Sequence, residues 1–195
     1  TLGWCSKAVD NLADRLSFKE FDNDSFEINE IFKMNNPDVF FDSAILSALI
    51  ASCCFVYISQ GEEDTPRLQV IEGDHATGII DPITNLLKEG YAVLDKNESG
   101  QAILEAYFVA GRTDYYVEGK FAYSYENKAP FALLVPIIYR PDAKRPFGHS
   151  RISRACMYLQ KYACRTLERA DITAEFYSFP QKYVVGLSAD AEPMD

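Results

Sequence analysis

Histidine is almost missing from this chain: His75 and His149 are the only two in 195 residues. Catalysis at neutral pH leans on that side chain more than on any other, and neither copy has a spacing that marks a site. His75 falls in Gly73-Asp74-His75, where a solvated loop histidine is the simpler reading; His149 precedes a helix that it is expected to help cap. A zinc site needs several histidines or paired cysteines at short range. The five cysteines, Cys5, Cys53, Cys54, Cys156 and Cys164, show no Cys-x-x-Cys spacing. Their odd number and the vicinal pair also argue against a disulfide framework. They read as small buried hydrophobes of a protein made in a reducing compartment. No metal and no cofactor is expected.

Other absences narrow the function further. No apolar run reaches the roughly 18 residues of a membrane span; the longest, Ala44 to Ile58, is broken by Ser47, Ser52 and the cysteines. Phosphate-cradling loops are missing, since Gly73 to Gly78 (GDHATG) lacks the Gly-Lys-Ser/Thr ending and a following helix of good length. Gly148-His149-Ser150 lacks the closing glycine of a nucleophile elbow. The carboxylates at Asp22, Asp24, Glu62 to Asp64, Asp81 and Asp95 gather at predicted turns, where Asp serves the backbone. No internal repeat stands out. The chain is read as non-enzymatic, the rival being a small enzyme whose carboxylates converge in a pocket among the strands.

What is present is a globular composition, 48% apolar with a net charge of −10. A chain of this size buries about 70% of its unfolded surface and builds a core without staples. Trp4, Ala8, Leu12 and Leu16 recur every four residues, which predicts an amphipathic helix over 6–16. An acidic, aromatic link, Ser17 to Asp24, follows it. Asn36-Pro37-Asp38 supplies a capping side chain, a proline at the first helical position and a carboxylate at the positive end of the dipole. The helix it opens, about 38–51, is apolar nearly all round and is expected to be buried. From Cys53 the period becomes that of strands, with turns around Gly61 to Pro66, Asp81-Pro82, Asn97 to Gly100 and Glu118-Gly119. Leu133 to Tyr139 closes the group, and Pro136 confines it to a sheet edge. The expectation is an α+β fold: N-terminal helices, an antiparallel β meander and a long amphipathic C-terminal helix.

That last helix, predicted over 150–170 with Ser150 as its cap, has two faces. At 100° per residue Ile152, Ala155, Cys156, Leu159, Ala163, Thr166, Leu167 and Ala170 share one third of the circumference. Arg151, Arg154, Lys161, Arg165 and Arg169 share the opposite side with Tyr158. Residues 131–170 hold eight basic side chains against Asp142 and Glu168, a local excess of six in an otherwise acidic protein. Such segregation points to a negative partner, nucleic acid or the acidic face of a neighbouring copy; a solvated helix face is the plain alternative.

The order of these features resembles a known family. Gly3 to Leu16 (GWCSKAVDNLADRL) with its aromatic link, the helix and strand of 44–59 after Asn35, the Asp81-Pro82 turn, and 135–140 followed by Gly148-His149-Ser150-Arg151-Ile152 and Phe179 to Gly186 (FPQKYVVG) are similar to segments of tailed-bacteriophage portal proteins of the gene-product-six-like branch. The resemblance implies a structural protein: a ring of about a dozen identical subunits at one capsid vertex, through which double-stranded DNA passes. Residues 1–147 then correspond to a wing-like α+β domain, and 148–195 to the first stem helix plus an edge strand near 183–187 that leads toward the clip. The chain reads as a fragment of a longer one, with a segment before Thr1 and the second stem helix beyond Asp195. Implied partners are other copies of itself, a terminase, capsid or scaffold and head-completion proteins, and the DNA in transit, with no membrane. The implied location is the virion, assembled in the bacterial host cytoplasm.

Within that resemblance Arg151, Arg154, Tyr158, Lys161, Arg165 and Arg169 are the candidates for a subunit interface or a DNA-facing surface. The rival class is a nucleic-acid-binding module that uses the basic helix 150–170 directly, against which the net charge of −10 argues.

Overall fold

The computed structural model describes residues 2–22, 24, 26–61 and 65–178. Helices α1 (Trp4–Ala13), α2 (Ile28–Lys33) and α3 (Pro37–Ala51) come first. Eight strands follow: β1 (Cys53–Gln60), β2 (Pro66–Glu72), β3 (Ala76–Ile80), β4 (Leu87–Lys96), β5 (Ala102–Val109), β6 (Arg112–Val117), β7 (Lys120–Glu126) and β8 (Leu134–Ile138). Helix α4 (Arg154–Ser178) comes last. The fold is α+β, and every strand pair is antiparallel. The strand expected near 183–187 and the motif at 179–186 lie outside the described residues.

Five consecutive strands, β3 to β7, form the meander, while β1, β2 and β8 make a separate sheet in the order β2-β1-β8. Strand β1 is the hinge of the architecture. Its alternate residues Cys53, Phe55 and Tyr57 pack with Leu87, Ala92, Ala106 and Phe108 of the five-stranded sheet. On the other side Cys54 meets Ala44 and Ala48, and Val56 meets Phe32 and Phe40. The molecule thus has three layers, helices over a small sheet over a larger one, which is why β1 reads as a continuous apolar run instead of an alternating one. Each fully buried Phe or Leu here contributes on the order of 1.5–3 kcal/mol. Pro136 sits on edge strand β8, opposite Phe55, where its missing N–H breaks no ladder.

The helices differ from expectation in instructive ways. Asn36 is left-handed (φ 56°) and makes no side-chain cap bond; its carbonyl instead accepts from Phe40 N at 3.0 Å, with Pro37 at the first turn as expected. Helix α3 is covered along Phe40, Ala44 and Ala48 and at Leu49, but Val39, Leu46 and Ile50 are exposed. It is half buried, contrary to the expectation from its all-round apolarity, because the sheet on one side and α1 on another leave a third face open. The link after α1 is a packed element: Phe18 lies against Phe41 with ring centroids 4.1 Å apart and joins Phe21 and Phe32 under the sheet. Helix α2, too short for a periodicity to betray it, is started by Asp24, whose carboxylate accepts from Ile28 N and Asn29 N at 2.6 and 2.8 Å. Those amides hold the Asp24 carboxyl below its ordinary range.

Turns follow the residue chemistry read from the sequence. Asp81 Oδ1 accepts from Ile83 N at 3.1 Å, and Asn97 Oδ1 accepts from Gln101 N at 2.8 Å. Glu118 and Gly119 both have positive φ (50° and 73°), the mirror-image turn that suits the twist of a tight hairpin.

Candidate subunit or nucleic-acid interface

The approach to α4 is fixed before the helix begins. Asp142 closes the loop after β8 by accepting from Lys144 N and Arg145 N at 2.8 and 2.7 Å. His149 Nε2 donates to Asp142 Oδ2 at 2.5 Å, and Arg145 Nη1 donates to His149 Nδ1 at 2.8 Å. The His149 contact is the main reason the Asp142 carboxyl lies below its usual value, with the loop amides adding to it. With both ring nitrogens engaged by Arg145 and Asp142, His149 does not cap α4, as the sequence had implied. Gly148 at φ 76° lets this loop press on β8: a Cβ there would stand 2.1 Å from the Tyr139 carbonyl oxygen.

The helix starts later and runs further than expected. Ser150 Oγ donates to Ile50 O at 2.6 Å, tying the chain to the end of α3. Ser153 is the cap, its Oγ accepting from Cys156 N at 3.1 Å. Arg151 therefore lies outside the helix. Its Nε donates to the Ala8 carbonyl oxygen, its Nη1 to Tyr139 Oη at 3.3 Å, and its backbone N to Leu49 O at 2.9 Å. The structure places this guanidinium as a clamp between α1, α3 and β8, apart from the other candidates.

Those others come together. Arg154, Tyr158, Lys161, Arg165 and Arg169 fall within about 80° of arc on α4, all exposed, with Tyr158 stacked on Tyr162 at 6.4 Å. Among the described residues none of the four cationic side chains forms a hydrogen bond or an ion pair. The apolar arc opposite is nearly as bare. Helix α4 has no buried residue; Leu159 is 61% and Leu167 52% exposed. Its main neighbour is α1, which covers the start only: Cys5 N donates to Gln160 Oε1 at 2.9 Å, and the Cys5 and Cys156 thiols stand 3.4 Å apart. From Arg165 to Ser178 every residue is exposed. At 1.5 Å per residue that is about 20 Å of a helix about 37 Å long.

Two features escaped sequence reasoning, the first because it depends on which strands become neighbours, the second because His75 reads most simply as a solvated loop residue. A groove of about 550 Å³ lies between the sheets, lined by Tyr57, Tyr115, Tyr123, Tyr125, Gln60 and Gln69 among others, with no carboxylate among the described residues of its walls. Tyr57 and Tyr115 share a hydroxyl bond of 2.7 Å, and burial pushes both phenols up. Glu72, Asp74 and His75 bring ligating atoms within 4.8 Å of one another at the turn between β2 and β3, where both carboxylates are exposed. They are the set that could hold a cation among the described residues. No helix among those residues is long and apolar enough to cross a membrane.

No family model matches this chain, and no curated protein matches it at a significant level.

Proposed function

We propose that the chain is a non-enzymatic structural protein that assembles through α4, and within that class a portal protein of a tailed bacteriophage, comprising the wing and the first stem helix. The observation that carries this reading is α4 itself. A helix of 25 residues with an apolar arc, a cationic arc and no buried side chain is a surface waiting for cover. A neighbouring copy in a ring supplies such cover at every position by repeating one contact. The order of motifs along the sequence supports the same assignment, and so does the charge distribution. An acidic body lets double-stranded DNA slide, where many cationic contacts would hold it by counterion release. In this reading the terminase, the capsid or scaffold and the head-completion proteins are partners of the assembled ring, the work of pumping belongs to the terminase, and the protein ends in the virion after assembly in the bacterial cytoplasm.

The second reading, a module that grips nucleic acid directly, rests on the four unpaired cations with Tyr158 among them. Electron microscopy of the full-length protein, with a low-salt gel shift beside it, separates the two. Closed rings of about a dozen subunits around a channel support the portal; a discrete shifted complex from a protein that forms no rings supports the module and removes the portal.

A further inference from the structure

Helices α1 and α3 leave a cleft of about 590 Å³ between them, and its walls repeat the chemistry of α4 with the charge reversed. Three carboxylates line it, Asp10 of α1, Asp14 at the C-cap of that helix and Asp42 of α3, beside the exposed apolar side chains Leu16, Val39 and Leu46. None of the three carboxylates forms an ion pair or a side-chain hydrogen bond among the described residues. All are exposed, so their charges are available without a cost of dehydration already met elsewhere.

We propose that this cleft is the seat of the cationic face of α4 from a second copy of the chain, with Lys161 and Arg165 against Asp10 and Asp14, Arg154 or Arg169 toward Asp42, and Tyr158 and Tyr162 over Leu16, Val39 and Leu46. The inference rests on the reading of α4 as the assembly element and names the surface it assembles with. Three observations carry it. The spacing matches: Lys161 and Arg165 are four residues apart on one helix, and so are Asp10 and Asp14 on the other, about 6 Å in each case. The contact is intermolecular, because α4 already lies against its own α1 through Cys156 and Gln160, which point well over 90° away from the cationic arc at 100° per residue. And the two surfaces are different patches of the same molecule. Their contact is therefore heterologous, head to tail, and closes into a ring when the rotation permits.

The test is a charge swap in the full-length protein, read as mass by light scattering at about 0.1 M salt, with circular dichroism to verify folding. Arg165→Glu alone and Asp14→Lys alone each reduce the assembled fraction at least tenfold. The double variant, Arg165→Glu with Asp14→Lys, recovers most of it, because a close charge pair contributes coupling that only the swap restores. Lys161→Glu with Asp10→Lys behaves likewise. If Arg165→Glu blocks assembly while Asp14→Lys and Asp10→Lys leave it intact, α4 assembles on some other surface and the cleft assignment is overturned while the portal reading stands. Assembly untouched by all four single changes overturns it as well. A wild-type protein that never assembles removes the portal reading and the cleft with it.

Discussion

Strand β1 and helix α4 both carry more apolar than polar residues and meet opposite fates. In β1, Cys53 to Tyr57 are all buried, one set of alternate side chains under the helices and the other under the five-stranded sheet. In α4 no residue is buried at all. The difference teaches that an apolar pattern states a need for cover without stating who provides it. For β1 the provider is the same chain; for α4 beyond Cys164 the described residues offer nothing, and the proposal assigns the role to another copy.

The comparison can be broken most sharply at its two poles. Phe55→Ala removes a fully buried ring at the meeting of the two sheets and is expected to cost about 3–5 kcal/mol of stability by denaturant unfolding. Leu167→Ala on α4 is expected to cost under about 0.5 kcal/mol in the unassembled chain. A similar cost at both positions would mean that α4 is covered within the monomer. Ser153→Ala tests the start of α4, where loss of the cap bond to Cys156 is expected to lower stability by about 1 kcal/mol. Ser150→Ala then loosens the tie to α3 without shortening the helix in circular dichroism.

The smallest effect is a pH effect. Asp142 titrates below its ordinary value in the folded protein because His149 and the loop amides favour the carboxylate. A group whose folded pKa is depressed stabilises above its unfolded pKa and loses that contribution as pH falls through the folded one. The melting temperature of wild type should therefore exceed that of Asp142→Asn at pH 7 by about 1 °C at most, since the pair is solvated. The difference should begin to shrink as pH falls toward about 4 and disappear only below the depressed folded value. A difference that grows on acidification would contradict the assignment.

Much of the fold was legible because it depends on local chemistry. Pro136 on an edge strand, the Asp81 and Asn97 turns, the Glu118-Gly119 hairpin and Pro37 at a helix start all follow from what those residues do to their own backbone. The errors lie where tertiary contacts outvote local signals. Asn36 has the side chain of a cap, yet its left-handed backbone caps through the carbonyl. His149 stands where a helix start is expected, but Asp142 and Arg145 claim both its nitrogens. Ser150 looks like the cap, and its hydroxyl is taken by Ile50 of α3, so Ser153 serves three residues later. The cationic face of α4 was legible from periodicity alone, with one exception: Arg151 fits the period, but its clamp on Ala8 and Tyr139 depends on α1 and β8 arriving at the same place. The acidic cleft between α1 and α3 was not legible, since Asp42 joins Asp10 and Asp14 only when the helices pack.

The central claim is that the bare surface of α4 is covered by further copies of the protein. The mass of the full-length protein in solution, by light scattering across a range of salt concentrations, addresses it directly. The account predicts a closed assembly of about a dozen subunits, formed where charge pairing is least screened and weakened as salt rises. A protein that remains a monomer or a dimer under every salt condition would contradict it.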